Sequence, residues 1–154
     1  MLPPARKQIT RLVKRASELC RLPLDGLTVG VVLVGDRTMA RINREFVGHE
    51  GTTDVITFNY MEAEDDLASS EPAVELIVGV DVALREGLRR KDSSYARELT
   101  LYIVHGLLHS AGEDDLEPAD RKRMRLRERQ VMKQLEQEFN LTEIFPLASG
   151  NISK

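Results

Sequence analysis

The stretch HGLLHSAGEDD, residues 105–115, constrains this chain more than any other. It follows YARELTLYIV, which reads as a helix capped by Ser93 or Ser94. At about 100° per residue, His105 and His109 fall about 40° apart on one helix face, with Glu98 two turns back on the same side. Two imidazoles one turn apart can aim at a single metal ion. A straight helix cannot bring a third ligand to that point. Gly112, three residues past His109, permits the left-handed turn that closes the helix and sends the chain back. Asp115 then stands where the third ligand is needed, giving His-x3-His-x5-Asp. The bland alternative is a helix with two histidines by coincidence and a solvated acidic loop after it.

The rest of the chain frames that helix. Residues 5–21 carry Ile9, Leu12, Val13, Ala16, Leu19 and Cys20 at helical spacing. LTVGVVLVG (27–35) reads as a strand, Asp36 as the N-cap of a helix to about Phe46, and VGHEGTTD (47–54) as a loop. DVITFNY (54–60) alternates as a half-buried strand, and VELIVGVDVAL (74–84) reads as a third. Between them, residues 61–73 form an acidic, Pro-interrupted loop expected to be mobile. Glu117-Pro118 opens a last helix to about Phe139, with Met124, Val131, Leu135 and Phe139 as its core stripe. The expected fold is α+β: a single domain over 1–145 with a mixed sheet of three to four strands, about five helices and a zincin-like metal helix, then a frayed tail over 146–154.

Bulk properties narrow the function classes. A length of 154 residues suits one core, and 42% hydrophobic with 31% charged residues is ordinary for a globular chain. No apolar run approaches the ~20 residues of a membrane span, and the basic start lacks a signal peptide's apolar stretch. The one cysteine, Cys20, excludes an intramolecular disulfide and reads as a small core residue in a cytoplasmic protein. The net charge of −3 does not advertise nucleic acid, and no membrane or DNA partner is expected.

Three segments together resemble the YbeY family of metal-dependent endoribonucleases of ribosomal RNA maturation. His105, Gly106, Leu108, His109, Gly112 and Asp114 match its H-G-x-L-H-L-x-G-Y-D-H motif. INREFVGHEGTTDVITF (42–58) and ELIVGVDVALREG (75–87) are similar to two further family blocks, in the same order and spacing. The resemblance implies a zinc-dependent nuclease working on ribosomal RNA and the small ribosomal subunit, most simply near the 3′ end of the small-subunit RNA. The chain departs from the pattern at several positions. Asp115 replaces the usual third His, Ser110 and Glu113 replace Leu and Tyr, Val47 stands where many members carry Arg, and Val74 where Gly is usual before the acid. A carboxylate remains an acceptable zinc ligand, but it lowers the charge at the metal by one unit.

Three protein ligands leave an open coordination position, the arrangement of a catalytic zinc. Gly106 occupies the place of the general-base Glu in H-E-x-x-H proteases, which weakens a peptidase reading. Glu98, Glu113 and Asp114 are candidate bases by proximity alone, with support of the ligands or simple solvation as the rival role. Thr53 and Asp54 either hold the entry to the second strand or line the cleft beside the metal. For RNA contact, Arg121 and Arg125 stand in DRKRMRLRER (120–129), though its cations spread around the helix instead of forming one patch. A ribosome-assembly factor that does not cleave, or another small zinc hydrolase, is the alternative.

Overall fold

The structure, a computed structural model, describes residues 6–23, 28–61 and 72–147. In chain order the elements are α1 (Arg6–Leu19), β1 (Val29–Val34), α2 (Asp36–Ile42), a π-helical turn (Asn43–Val47), β2 (Val55–Asn59), β3 (Val74–Gly79), α3 (Val80–Arg89), α4 (Tyr95–Ser110), α5 (Pro118–Glu138) and α6 (Leu141–Ile144). The strands form one mixed sheet of order β1-β3-β2, as expected for the α+β class. β3 lies at its centre, parallel to β1 and antiparallel to β2. Val29 pairs with Val74, and Val55 with Val78.

The two faces of the sheet are covered unequally. Val74, Leu76 and Val78 face the main core, which α1, α4, α5 and α6 complete with Leu12, Leu99, Ile103, Leu107, Met124, Val131, Leu135 and Ile144. Each such aliphatic side chain, fully buried, contributes roughly 1.5–3 kcal/mol relative to exposure. On the other face, Met39, Ile56 and Ile77 form a small separate cluster. α4 is buried on nearly every side, so it runs through the interior with little amphipathic contrast. Among the described residues, no helix is long and apolar enough to cross a membrane.

Some boundaries differ from the sequence reading. The third strand ends at Gly79, not at residue 84, and Val80–Leu84 open α3. Apart from Glu75, β3 is apolar on both faces, and α3 continues with Val80, Val82, Ala83 and Leu84 packed on the core. No change of polarity therefore marks the junction. Asp36 is the first residue of α2, and Gly35 holds the N-cap position. The Asp36 N–H donates to Asp81 Oδ2 at 2.8 Å, so a carboxylate from α3 does the capping across the fold. Its own carboxylate pairs with Arg85. The π-helical turn carries helical backbone through Val47, so the loop begins at Gly48. Leu147 packs against the main core, inside the segment expected to fray. The acidic segment 62–71 and residues 148–154 lie outside the described residues.

Candidate metal centre

The histidine helix is built as its sequence demands. The Ser94 side chain caps α4 by accepting from the Arg97 N–H at 3.1 Å. At the other end, the Gly112 N–H donates to His109 O at 3.1 Å and the Glu113 N–H to Leu108 O at 3.0 Å. With φ of 102° at Gly112, this is a Schellman closure. It turns the chain back so that Asp115 approaches the last helical turn. The Arg121 guanidinium braces the returning loop, donating to the carbonyls of Asp115 at 3.3 Å and Leu116 at 3.2 Å.

Gly106 explains why this helix carries no glutamate beside its first histidine. A Cβ there would stand 2.7 Å from Leu76 Cδ2 and 3.0 Å from Thr57 Oγ1. The missing side chain is what lets α4 lie close on β2 and β3. The general base of a zincin peptidase cannot be housed at this position without displacing the Leu76 and Thr57 side chains.

His105, His109 and Asp115 converge. Their donor atoms all lie within 4.8 Å of one another. The two Nε2 atoms are 3.1 Å apart, and His109 Nε2 is 3.8 Å from Asp115 Oδ2. Two nitrogens bound to one tetrahedral zinc at ~2.0–2.1 Å would lie ~3.3 Å apart, so the histidine pair already has the right span. Asp115, about half exposed, has the freedom to close the remaining distance. The donor set of two imidazoles and a carboxylate therefore fits a divalent ion with an open position.

Around this point lie two clefts that share one wall. The first, about 540 Å³, is lined by Asn43, Val47, His49, the edge strand β2, His105 and His109. Asn43 is buried and donates from Nδ2 to Gly51 O at 2.9 Å, which pins the 48–53 loop along the rim. The second, about 580 Å³, lies toward α5 and includes Glu86, Arg90, Glu98, Arg125 and Glu128. Thr53, Asp54 and His105 line both. Asp54 fills both roles suggested for it. Its Oδ1 accepts from the Val55 N–H at 2.7 Å and from Thr53 Oγ1 at 3.3 Å, fixing the start of β2.

The other carboxylates have different surroundings. Glu98 is 1% exposed, and Ser93 Oγ donates to one oxygen at 2.6 Å and Tyr102 OH to the other at 3.1 Å. Asp114 accepts from the Leu116 N–H and shapes the turn after Gly112. Glu113 contributes the backbone N–H of the helix closure. Arg125 lines the second cleft, whereas Arg121 is spent on the loop that carries Asp115.

One residue of the site is missing from the sequence reading. Glu128, on α5, places its Oε2 against His105 Nδ1 in a short contact. A signal for it does exist: Met124, Val131 and Leu135 mark the inward stripe of α5, and Glu128 falls on that stripe at helical spacing. A carboxylate there must find a partner inside. Burial is the strongest single influence on His105 and lowers its pKa. The bond to Glu128 and the charges of Glu128, Asp54 and Asp115 together outweigh it, so the ring titrates above its ordinary value.

The family model described as Endoribonuclease YbeY matches residues 3–136. The chain is 34% identical to an endoribonuclease YbeY of Anaeromyxobacter over 131 residues, covering 84% of this chain and 66% of that protein. It is 32% identical to that of Symbiobacterium thermophilum over 129 residues, covering 80% and 82%. With that of Chlorobium phaeovibrioides it is 35% identical over 117 residues, covering 76% and 74%. A Thermotoga maritima protein solved in solution shares the fold at a TM-score of 0.61 and 24% identity, covering 97% of this chain and 95% of that one. The chain belongs to the endoribonuclease YbeY family, whose members are named for hydrolytic cleavage of RNA.

Proposed function

We propose that this chain is a zinc-dependent endoribonuclease that cuts single-stranded RNA during ribosomal RNA maturation, near the 3′ end of the small-subunit RNA. Small-subunit particles in the cytoplasm are then its natural partner. The observation that carries the reading is the convergence of His105, His109 and Asp115 at the mouth of a cleft bordered by an edge strand, in a chain of this family. The nitrogen–nitrogen–oxygen donor set favours zinc over magnesium, which prefers oxygen alone. The chemistry such an ion supplies when bound is polarisation of a phosphoryl oxygen and activation of water.

The chain's own groups supply the rest. β2 presents Thr57 and Asn59 to the cleft beside the histidines. Of the nearby carboxylates, Asp54 is the best general base. Its Oδ1 is committed to the backbone, and Oδ2 is left to take a proton from the attacking hydroxyl. Glu98 has both oxygens occupied, and Asp114 is tied to its turn. Arg125 in the second cleft is the cation best placed for an RNA phosphate, because Val47 offers none at the rim and Arg90 is paired with Glu86.

The test pairs elemental analysis with cleavage of a single-stranded RNA. About one zinc per wild-type chain, loss of cleavage with chelator and its return with zinc are the expected results. Asp54→Asn keeps the backbone bond of Oδ1 and removes the base, so cleavage should fall at least ~100-fold with zinc content unchanged. Zinc bound without cleavage by the wild type would favour an assembly factor, and no zinc uptake would overturn the metal centre.

A further inference from the structure

We infer that Glu128 is a positioning residue of the metal centre: its carboxylate holds His105 with the proton on Nδ1, so that the lone pair of Nε2 faces the ion. This rests on the metal-centre reading above and names a part of it that lies outside the three ligands. A neutral imidazole carries one N–H and one lone pair, and an ionised carboxylate only accepts. The Glu128–His105 contact is made through Nδ1, and the opposite nitrogen, Nε2, is the one that meets His109 Nε2 at 3.1 Å. The contact therefore selects the tautomer that a metal at this point requires. Carboxylate–histidine pairs of this kind fix ring orientation and raise the basicity of the ligating nitrogen.

Four further observations separate Glu128 from an ordinary surface acid. Its side chain is only 15% exposed. Three of the arginines on its helix are engaged elsewhere, Arg121 with the Asp115 loop, Arg123 with Asp120 and Arg127 with Leu19 O, while Arg125 lines the same cleft. It also projects from the same inward stripe as Met124 and Val131, so packing of α5 on α4 sets its position. The link spans 23 residues and joins two helices, which makes it a tertiary feature and not a local helix pair.

The full chain, prepared metal-free with nitrogen-15-labelled histidine, gives a readout independent of activity. At alkaline pH, where the rings are neutral, long-range proton–nitrogen spectra should show His105 of the wild type protonated at Nδ1. Glu128→Ala should shift His105 toward the Nε2–H form, and zinc affinity, read by competition with a chromophoric chelator, should fall ~10–100-fold. Glu128→Gln, whose amide oxygen still accepts, should keep the Nδ1–H form and restore part of the affinity. A wild-type His105 protonated at Nε2 overturns the inference without recourse to any variant. Zinc uptake by the wild type with unchanged affinity in Glu128→Ala overturns the role of Glu128 alone. A wild type that takes up no zinc overturns the metal centre itself, and the tautomer would still show whether the contact orders the ring.

Discussion

The two ends of α4 carry polar side chains on the same helix face and use them in opposite ways. Near the start, Glu98 is sealed from solvent, with one oxygen held by Ser93 and the other by Tyr102. Two turns on, the side chains of His105 and His109 remain about 30% exposed and open to a cleft. The difference comes from what lies above the helix. The 93–94 turn and Tyr102 close over Glu98, whereas the chain leaves at Gly112 before it can cover the histidines. A buried polar group with all its partners stabilises the fold, and an incompletely covered one remains available to a ligand. The contact at Tyr102 shows the same division, since burial first and then Glu98 hold its hydroxyl well above the usual tyrosine range.

Substitution at the two ends should separate these roles. The largest effect is expected for His109→Ala: zinc affinity should fall more than ~100-fold, beyond the ~10–100-fold expected for a residue that only supports a ligand. Thermal unfolding of the metal-free protein should barely move. Glu98→Ala should do the reverse, costing about 1–3 kcal/mol in denaturant unfolding because Tyr102 OH and Ser93 lose their acceptor, with zinc affinity retained. A Glu98→Ala variant that folds normally and loses zinc would make the two ends one site. Gly106→Ala lies between them and should cost about 1–3 kcal/mol by overpacking against Leu76 and Thr57. An unchanged unfolding midpoint would mean that the approach of α4 to the sheet is looser than its contacts indicate.

The smallest effect concerns Cys20, buried behind α4. Burial above all pushes its thiol up to about 12 from an ordinary value of 9.0, with Arg127 opposing and Glu128 adding. A raised acid pKa in the fold means stability present below the unfolded value and lost as pH climbs through the folded one. Stability should therefore decline between about pH 9 and 12. Cys20→Ala should flatten that part of the profile, and alkylation of the native thiol should be slow at neutral pH. Rapid native labelling would contradict the burial.

How much of this was legible in the residues depended on the range of the forces involved. Local rules located the helix and its closure, because the Ser94 cap, the histidine spacing and Gly112 act within one or two turns. They failed at the end of β3, where the apolar run of the strand continues through Val80, Val82, Ala83 and Leu84 into the first turns of α3. They missed the capping of α2 by Asp81, which arrives from 45 residues away. The pairing of His105 with Glu128 is of the same kind. The gap in the apolar stripe of α5 is visible in sequence, but its partner is set only once α5 docks on α4. Gly106 reads in sequence as a missing base, and only the sheet beneath it shows that a side chain there would crowd Leu76 and Thr57.

The bracing of the Asp115 loop by Arg121 has a mechanical consequence. Arg121 and Glu128 both belong to α5, so one helix steadies a residue of each half of the ligand set: Asp115 through its carbonyl and His105 through its ring. Any force that peels α5 from α4 would release the Asp115 loop and the His105 ring together. Conversely, a ligand that draws the donors together would clamp α5 in place. The docking of a helix and the occupancy of the cleft thus become two readings of one equilibrium, and amide exchange along α5 would report on whether the centre is filled.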